Sequence, residues 1–285
     1  MDGWPMHLRL GWRDLLGRTW ERFWKDRVLD QSAMLSFYFL FSIFPLLLFL
    51  MTLLGLMLQS GHAFQETLRH YLGAVVPRVA ASRLIDTTLG EISQGSGALE
   101  LSTALLFTWW SASQGMLAVV RGINNAYETA ESRPWWKTYL VASGLTAACL
   151  LLFAGALLLL VYGGQLSNLA VQRWGGSGFV AWIWRVLSGL FVLGCVLAAF
   201  NLIYVWGPNL AHRKWHWLMP GTLAGVAIWL LGSFGLKLYL SVFDTLTLSY
   251  GSVGAVIVLL MWLFLSGIAI LVGAEVNSIV ENTSA

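Results

Sequence analysis

Charge is what this chain has least of. Asp, Glu, Lys and Arg make up 11% of its 285 residues, against 58% apolar, which excludes an ordinary soluble domain, where about a quarter of residues are charged. Cysteine is nearly absent. Cys149 and Cys195 both fall inside apolar stretches, so they give neither a disulfide framework nor metal spacing and read as small core residues. No cluster has metal-ligand spacing. His212 and His216 stand four apart in a basic loop without a third ligand nearby. No nucleotide-binding glycine loop and no Gly-x-Ser-x-Gly elbow occurs. The first apolar run begins only near Ala33, after a densely charged stretch, too late and too long for a cleaved signal peptide, so an uncleaved anchor is expected.

What is abundant is long apolar sequence. The most informative run is the last. Ser249-Tyr250-Gly251-Ser252-Val253-Gly254 leads into an uncharged segment from Ala255 to Val272, which closes on Gly273-Ala274-Glu275-Val276-Asn277. At ~1.5 Å per residue this helix can cross a ~30 Å hydrocarbon core, and only a helix satisfies its own backbone there. Hydropathy predicts six spans, at about 33–58, 101–120, 138–162, 179–205, 221–243 and 253–274. Three domains follow: an N-terminal amphipathic segment 1–32, a membrane domain 33–280 and a short tail 281–285. Trp12, Leu15, Leu16, Trp20, Phe23, Trp24 and Val28 recur at three- and four-residue steps, predicting an interfacial helix over 12–29. Asp14–Arg18, Glu21–Lys25 and Arg22–Asp26 are spaced as surface pairs on its other face. Residues 59–98 carry two helical stripes parted by Pro77 and predict a two-helix cap on one side of the membrane. The fold class expected is therefore all-α and polytopic.

Orientation follows from Lys and Arg. Eleven fall on the side of both termini and of the 121–137 and 213–214 loops. Four, Arg69, Arg78, Arg83 and Arg173, fall on the other. The positive-inside rule then places both termini in the cytoplasm. It also accounts for a basic surface that could otherwise suggest nucleic acid, so no nucleic-acid partner is expected. Glu128, Glu131 and Glu281 are too scattered for a two-metal nuclease. Neither an enzymatic activity nor a cofactor is expected.

Ionisable groups in spans are the functional candidates that remain. Arg185 and Lys237 should lie at similar depth in the outer half, where they either snorkel or hold an anionic head group. Glu275 sits at the cytoplasmic end and should pair with Arg121, Arg133 or Lys137, with proton coupling as the alternative. Pro45 in the first span is a packing kink or a hinge. Gln114 belongs to the most polar span, and Asn201, Tyr38, Tyr239, Tyr250 and Gly251 complete the candidates for a substrate path or gate. Gly221 and Gly225 form a small-xxx-small pair after Pro220. The leading expectation is transport of an anionic or amphipathic molecule, lipid included. An envelope scaffold or assembly factor is the alternative. Membrane lipids, a small-molecule or lipid substrate, a second copy of the chain and an envelope protein are the partners considered.

Three groups of residues resemble the YihY/BrkB family of bacterial inner-membrane proteins, once labelled ribonuclease BN. They are Ala33-Met34-Leu35-Ser36-Phe37-Tyr38 with Pro45; Arg133-Pro134 with Lys137; and Pro208-Asn209, Pro220-Gly221 and Tyr239 together with Tyr250-Gly251-Ser252-Val253-Gly254 and Gly273-Ala274-Glu275-Val276-Asn277. The resemblance covers about 18–280 and implies six spans. It implies no settled activity, and the ribonuclease label is widely regarded as a misassignment. One departure is Gly207, where a larger apolar residue is expected before Pro208.

Overall fold

The structure is a computed structural model that describes residues 11–59, 98–174, 178–210, 219–242 and 245–283. The expected cap, apart from its two end residues, lies outside the described residues, as do His212 and His216. Among the described residues the chain is all helical: α1 (Trp12–Lys25), α2 (Val28–Gln59), α3 (Ala98–Ala126), α4 (Trp135–Trp174), α5 (Gly178–Trp206), α6 (Pro220–Val242) and α7 (Thr245–Thr283). The helices α2 to α7 stand where the six spans were expected. By length and composition, four of them contain spans among the described residues, at Trp135–Ala156, Trp182–Trp206, Pro220–Ser241 and Val256–Thr283, and α2 carries a shorter apolar run, Val28–Ile43.

Several boundaries differ from the sequence expectation. The N-terminal helix ends at Lys25 rather than 29, because Arg27 takes a left-handed backbone, φ 50°. The Asp26 and Arg27 amides fold back onto the carbonyls of Arg22 and Trp24. Neither Gly nor Pro marks this break, and Val28 keeps the apolar spacing, so periodicity runs straight through it. The side chain of Arg27 bonds Asp30 at 2.6 Å across the turn. At the far end, α4 continues to Trp174 instead of stopping near 162, and α7 starts at Thr245 and runs to Thr283. The Ser249–Gly254 motif therefore lies inside a helix and does not open one. Hydropathy reports where the hydrocarbon ends, whereas helical hydrogen bonds continue into polar sequence.

The described chain falls into two compact units. One consists of residues 39–114. Within it the Ser42 hydroxyl bonds the Ser111 carbonyl at 2.9 Å, and Phe107 stacks near Trp110 with centroids 5.9 Å apart. The Ser113 hydroxyl bonds the Trp109 carbonyl of its own helix at 2.8 Å.

The other unit, residues 1–38 and 115–285, holds the site. Its densest packing is between α6 and α7, where small residues replace side chains. A Cβ on Gly221 would collide with the Gly273 carbonyl and come within 2.6 Å of the Asn277 side chain. A Cβ on Gly225 would lie 2.8 Å from the Tyr204 hydroxyl and 2.9 Å from the Ala269 carbonyl. Close backbone approach of this kind is how helices associate where apolar burial offers little drive. Tyr204 of α5 is fully buried against this crossing and donates to the Ile270 carbonyl at 2.9 Å. Outward, Leu151 and Phe153 on α4 and Leu231 and Phe234 on α6 are exposed, as lipid-facing positions should be. Cys195 is buried and Cys149 half-buried, both as free thiols.

Candidate functional site

The basic amphipathic helix α1 leaves most of its apolar face and most of its charges exposed and turns Arg22 toward α7. Leu16, Trp20 and Trp24 are exposed, with Trp20 and Trp24 edge to face at 5.7 Å. In a bilayer those rings belong at the interface. The opposite face carries Arg22, whose Nη1 donates to the Ser278 hydroxyl at 2.8 Å and to the Ala126 carbonyl at 3.2 Å. Ala126 is the last residue of α3, so the guanidinium also sits at the negative end of that helix dipole. The Glu275 carboxylate lies 3.5 Å from the same nitrogen. This corrects the pairing expected from sequence: the partner of Glu275 is Arg22. Arg121 is exposed, Arg133 engages Glu131 at 2.7 Å, and Lys137 lies 5.3 Å over the Trp136 ring. Arg22 and Lys25 likewise do not form the local pairs their spacing suggested. Lys25 bonds Glu128 at 2.8 Å, and that contact holds the Glu128 carboxyl below and the Lys25 ammonium above their ordinary values.

Among the described residues Glu275 is the most deeply buried charge, its side chain 2% exposed against 18% for Arg22. A buried carboxylate must be paired and hydrogen-bonded, yet Arg22 offers it only a long contact. Asp26, in the turn after α1, is near enough to act electrostatically on the Glu275 carboxyl. Its Oδ2 is buried without a hydrogen-bond partner. Beside them the Tyr127 hydroxyl faces the Asn277 amide, and burial raises that phenol well above its usual range. Neither the hydroxyl nor the amide Nδ2 completes a hydrogen bond. The other end of the same amide, Oδ1, accepts the Gly221 N–H at 2.7 Å, supplying a partner to an otherwise orphaned donor at the start of α6. Two clefts reach this cluster. One, of about 390 Å³, is lined by Arg18, Glu21, Arg22 and Lys25 of α1 and by Ile279, Asn282 and Thr283 of α7. The other, of about 410 Å³, is lined by Lys25, Asp26, Arg27, Asp30, Gln31, Met34 and Asn125.

A second polar knot fixes the loop beside it. The buried Asn124 side chain donates to Glu131 at 2.9 Å and accepts the Asn209 N–H at 2.8 Å. The Asn209 amide donates to the Ala130 carbonyl and the Ser132 hydroxyl, and Arg133 reaches the Gly207 carbonyl at 2.9 Å. Arg133 and Asn124 hold the Glu131 carboxyl below its ordinary value. Here Gly207 finds its reason, since a Cβ would collide with the Ile203 carbonyl.

The structure thus gathers the start of α2, the Arg133-Pro134 loop, Pro208-Asn209, Pro220-Gly221 and Gly273–Asn277 in one unit. Of the candidates read from sequence, Glu275 is at the centre. Asn201 is half-buried and accepts from Thr222 at 3.3 Å. Tyr38 is half-buried against Phe37, at 6.0 Å. Lys237 and Tyr239 are exposed on α6. Gln114 is half-buried at the edge of the smaller unit. Pro45, Arg185, Tyr250 and Gly251 lie in helices, with side chains outside the described residues. Among the described residues no group of three His, Cys, Asp or Glu could hold a metal ion. Arg22, Asp26, Asn124, Asn277 and Ser278 were not singled out as site residues. Asn277 alone had a signal, its place in the Gly273–Asn277 motif.

The family model "Virulence factor BrkB" matches residues 19–285. The chain is 32% identical over 252 residues to the ribonuclease-like protein YfkH of Bacillus subtilis, covering 88% of this chain and 90% of that protein. It is 25% identical over 264 residues to a UPF0761 membrane protein of Xanthomonas campestris pv. campestris (strain B100), covering 91% of this chain and 59% of that protein. A UPF0761 membrane protein of Stenotrophomonas maltophilia (strain R551-3) is 24% identical over 276 residues, with the same coverage of 91% and 59%. The chain therefore spans about three-fifths of the length of the Xanthomonas and Stenotrophomonas relatives. No solved structure matches. With a match that begins inside α1 and takes in every element around Glu275, the chain belongs to the BrkB (YihY/BrkB) family of membrane proteins, whose function is unsettled.

Proposed function

We propose that this protein moves an anionic or amphipathic molecule, lipid included, across the bacterial inner membrane, with both termini in the cytoplasm. The observation that carries the reading is the buried Glu275, held by the strap α1 through one long Arg22 contact rather than a closed bidentate pair. A charge kept at such depth costs stability, and the long contact leaves it incompletely paired at the seam between α1 and α7. Arg185 and Lys237 supply the basic groups on the expected outer side.

Reconstitution tests this. Purified protein goes into liposomes carrying a headgroup-labelled anionic phospholipid, and a non-permeant quencher measures access to the inner leaflet. The expected result is protein-dependent access, lost in Glu275→Gln and in the Arg185→Leu/Lys237→Leu double variant while both stay folded. Access no greater than in protein-free vesicles would overturn lipid translocation and bring the envelope-scaffold reading forward. Orientation is tested separately: a reporter active only in the periplasm should work when spliced at Gly95 and fail when fused after Ala285.

A further inference from the structure

We propose that Asp26 and Glu275 hold one proton between them, forming a proton site at the junction of α1, α2 and α7. The presence of the site does not depend on transport; its role as the coupling-ion site rests on that reading.

The argument is one of charge and hydrogen-bond accounting. Two carboxyls act on one another, Asp26 from the turn after α1, with a buried oxygen, and Glu275 from α7, 2% exposed. Neither has a hydrogen to donate when ionised, which is why the buried Asp26 Oδ2 is left without a partner. One cation faces them, Arg22, and its Nη1 is closer to Ser278 and Ala126 than to Glu275. The other charged groups around the cluster do not make up the deficit. Lys25 of α1 is taken by Glu128, Arg27 by Asp30 of α2, and Arg18 and Glu21 of α1, in the Arg22 cleft, are exposed and of opposite charge. Glu281 of α7 adds negative charge near Tyr127, and the phenol of Tyr127 adds no positive charge. From α2 the neutral Gln31 amide reaches only the Asp26 backbone carbonyl.

Fully ionised, the buried cluster carries two negative charges against one positive. Like-charged carboxyls that share a site cannot both ionise cheaply. One proton placed between them satisfies the orphan oxygen and leaves a single negative charge for Arg22. Exchange with water is open, because Arg22 and Asp26 each line one of the two clefts. Loss of the proton sets the carboxylates against each other and drives the Asp26 turn, with α1, away from α7. Since the closed arrangement binds the proton, it is favoured at low pH and weakens as pH rises.

Infrared spectroscopy of the purified full chain in lipid nanodiscs tests the site directly. At neutral pH the wild-type protein should show a protonated-carboxyl C=O band, which Glu275→Gln and Asp26→Asn each abolish. Glu275→Asp, which keeps the carboxyl, should retain a band at shifted frequency and guards against loss of fold in the amide variants. No protonated-carboxyl band in wild-type protein overturns the proposal, as does a band that survives both amide substitutions in folded protein. The two readings can fail separately. A band without flux in the liposome assay supports the site and rejects transport, whereas flux without a band rejects the site alone.

Discussion

The same substitution, glycine to alanine, should have opposite effects in two helices of this protein. At Gly221 the new Cβ would stand 2.6 Å from Asn277 Cγ and Oδ1, where ordinary contact begins at 3.4 Å, and would also collide with the Gly273 carbonyl. The carbonyl belongs to a helix and cannot rotate away, so α6 and α7 must separate by more than the ~0.8 Å (2.6 to 3.4 Å) that the Asn277 contact alone requires. That separation stretches the Gly221 N–H···Asn277 bond, now 2.7 Å, beyond about 3.5 Å, where it no longer counts. The cost combines overpacking, typically ~1–3 kcal/mol, with a buried donor left unpaired, another ~1–3 kcal/mol. Together Gly221→Ala should destabilise by roughly 2–6 kcal/mol. At Gly144, in α4, a Cβ meets nothing within 4 Å, and alanine should stabilise by up to about 1 kcal/mol through lower chain entropy and better helix propensity. Detergent-solubilised variants, heated in steps and scored for monodisperse protein by fluorescence-detected size exclusion, give the comparison. Gly221→Ala should lose its peak several degrees below wild type, with Gly144→Ala at or above it. Equal midpoints for the two would refute the claim that α6 and α7 cross at backbone contact.

Tyr204→Phe removes the bond to the Ile270 carbonyl and should cost about 0.5–1.5 kcal/mol, read by the same melting assay; a larger loss would mean that the ring itself has shifted. Asn277→Ala deprives the Gly221 N–H of its acceptor and should destabilise by ~1–3 kcal/mol, whereas Asn282→Ala, at an exposed position, should leave the midpoint unchanged. The loop knot should be acid-sensitive. Arg133 and Asn124 depress the Glu131 carboxyl below its ordinary 4.5, so its stabilising effect is complete above that value and lost as pH falls through the lower folded-state value. Limited proteolysis of residues 127–134 should accelerate in acid for wild-type protein, and Arg133→Gln should already be fast at pH 7 and change less with pH.

Much of the architecture was legible in composition and periodicity. Long uncharged runs in a chain this poor in charge have one stable form in a bilayer, a helix that satisfies its own backbone, so the helix positions follow from local sequence. The amphipathic α1 was readable for the same reason, and so were Pro220 as the start of α6 and the close approach of Gly221 and Gly225. Helix ends were less legible. Arg27 and Glu128 both turn left-handed, at φ 50° and 51°, without a glycine to announce it, and α4 and α7 outrun their apolar segments.

The site divides along the same line. Glu275 stood out in the sequence because a carboxylate at the end of an apolar run is costly wherever it goes. Its partner did not. Arg22 lies 253 residues away in the chain, and its local spacing suggested a surface pair with Asp26. Charge pairing acts through space, so which cation answers Glu275, and that Asp26 joins it as a second carboxyl, was decided by how α1 folds back onto α7. The amphipathic pattern of α1 has two faces but no preference for a neighbour. Only tertiary packing turned Arg22 toward α7, brought Asn124 and the loop of Glu131 and Arg133 against Asn209, and set two acids beside one arginine in a site that local sequence records as unrelated residues.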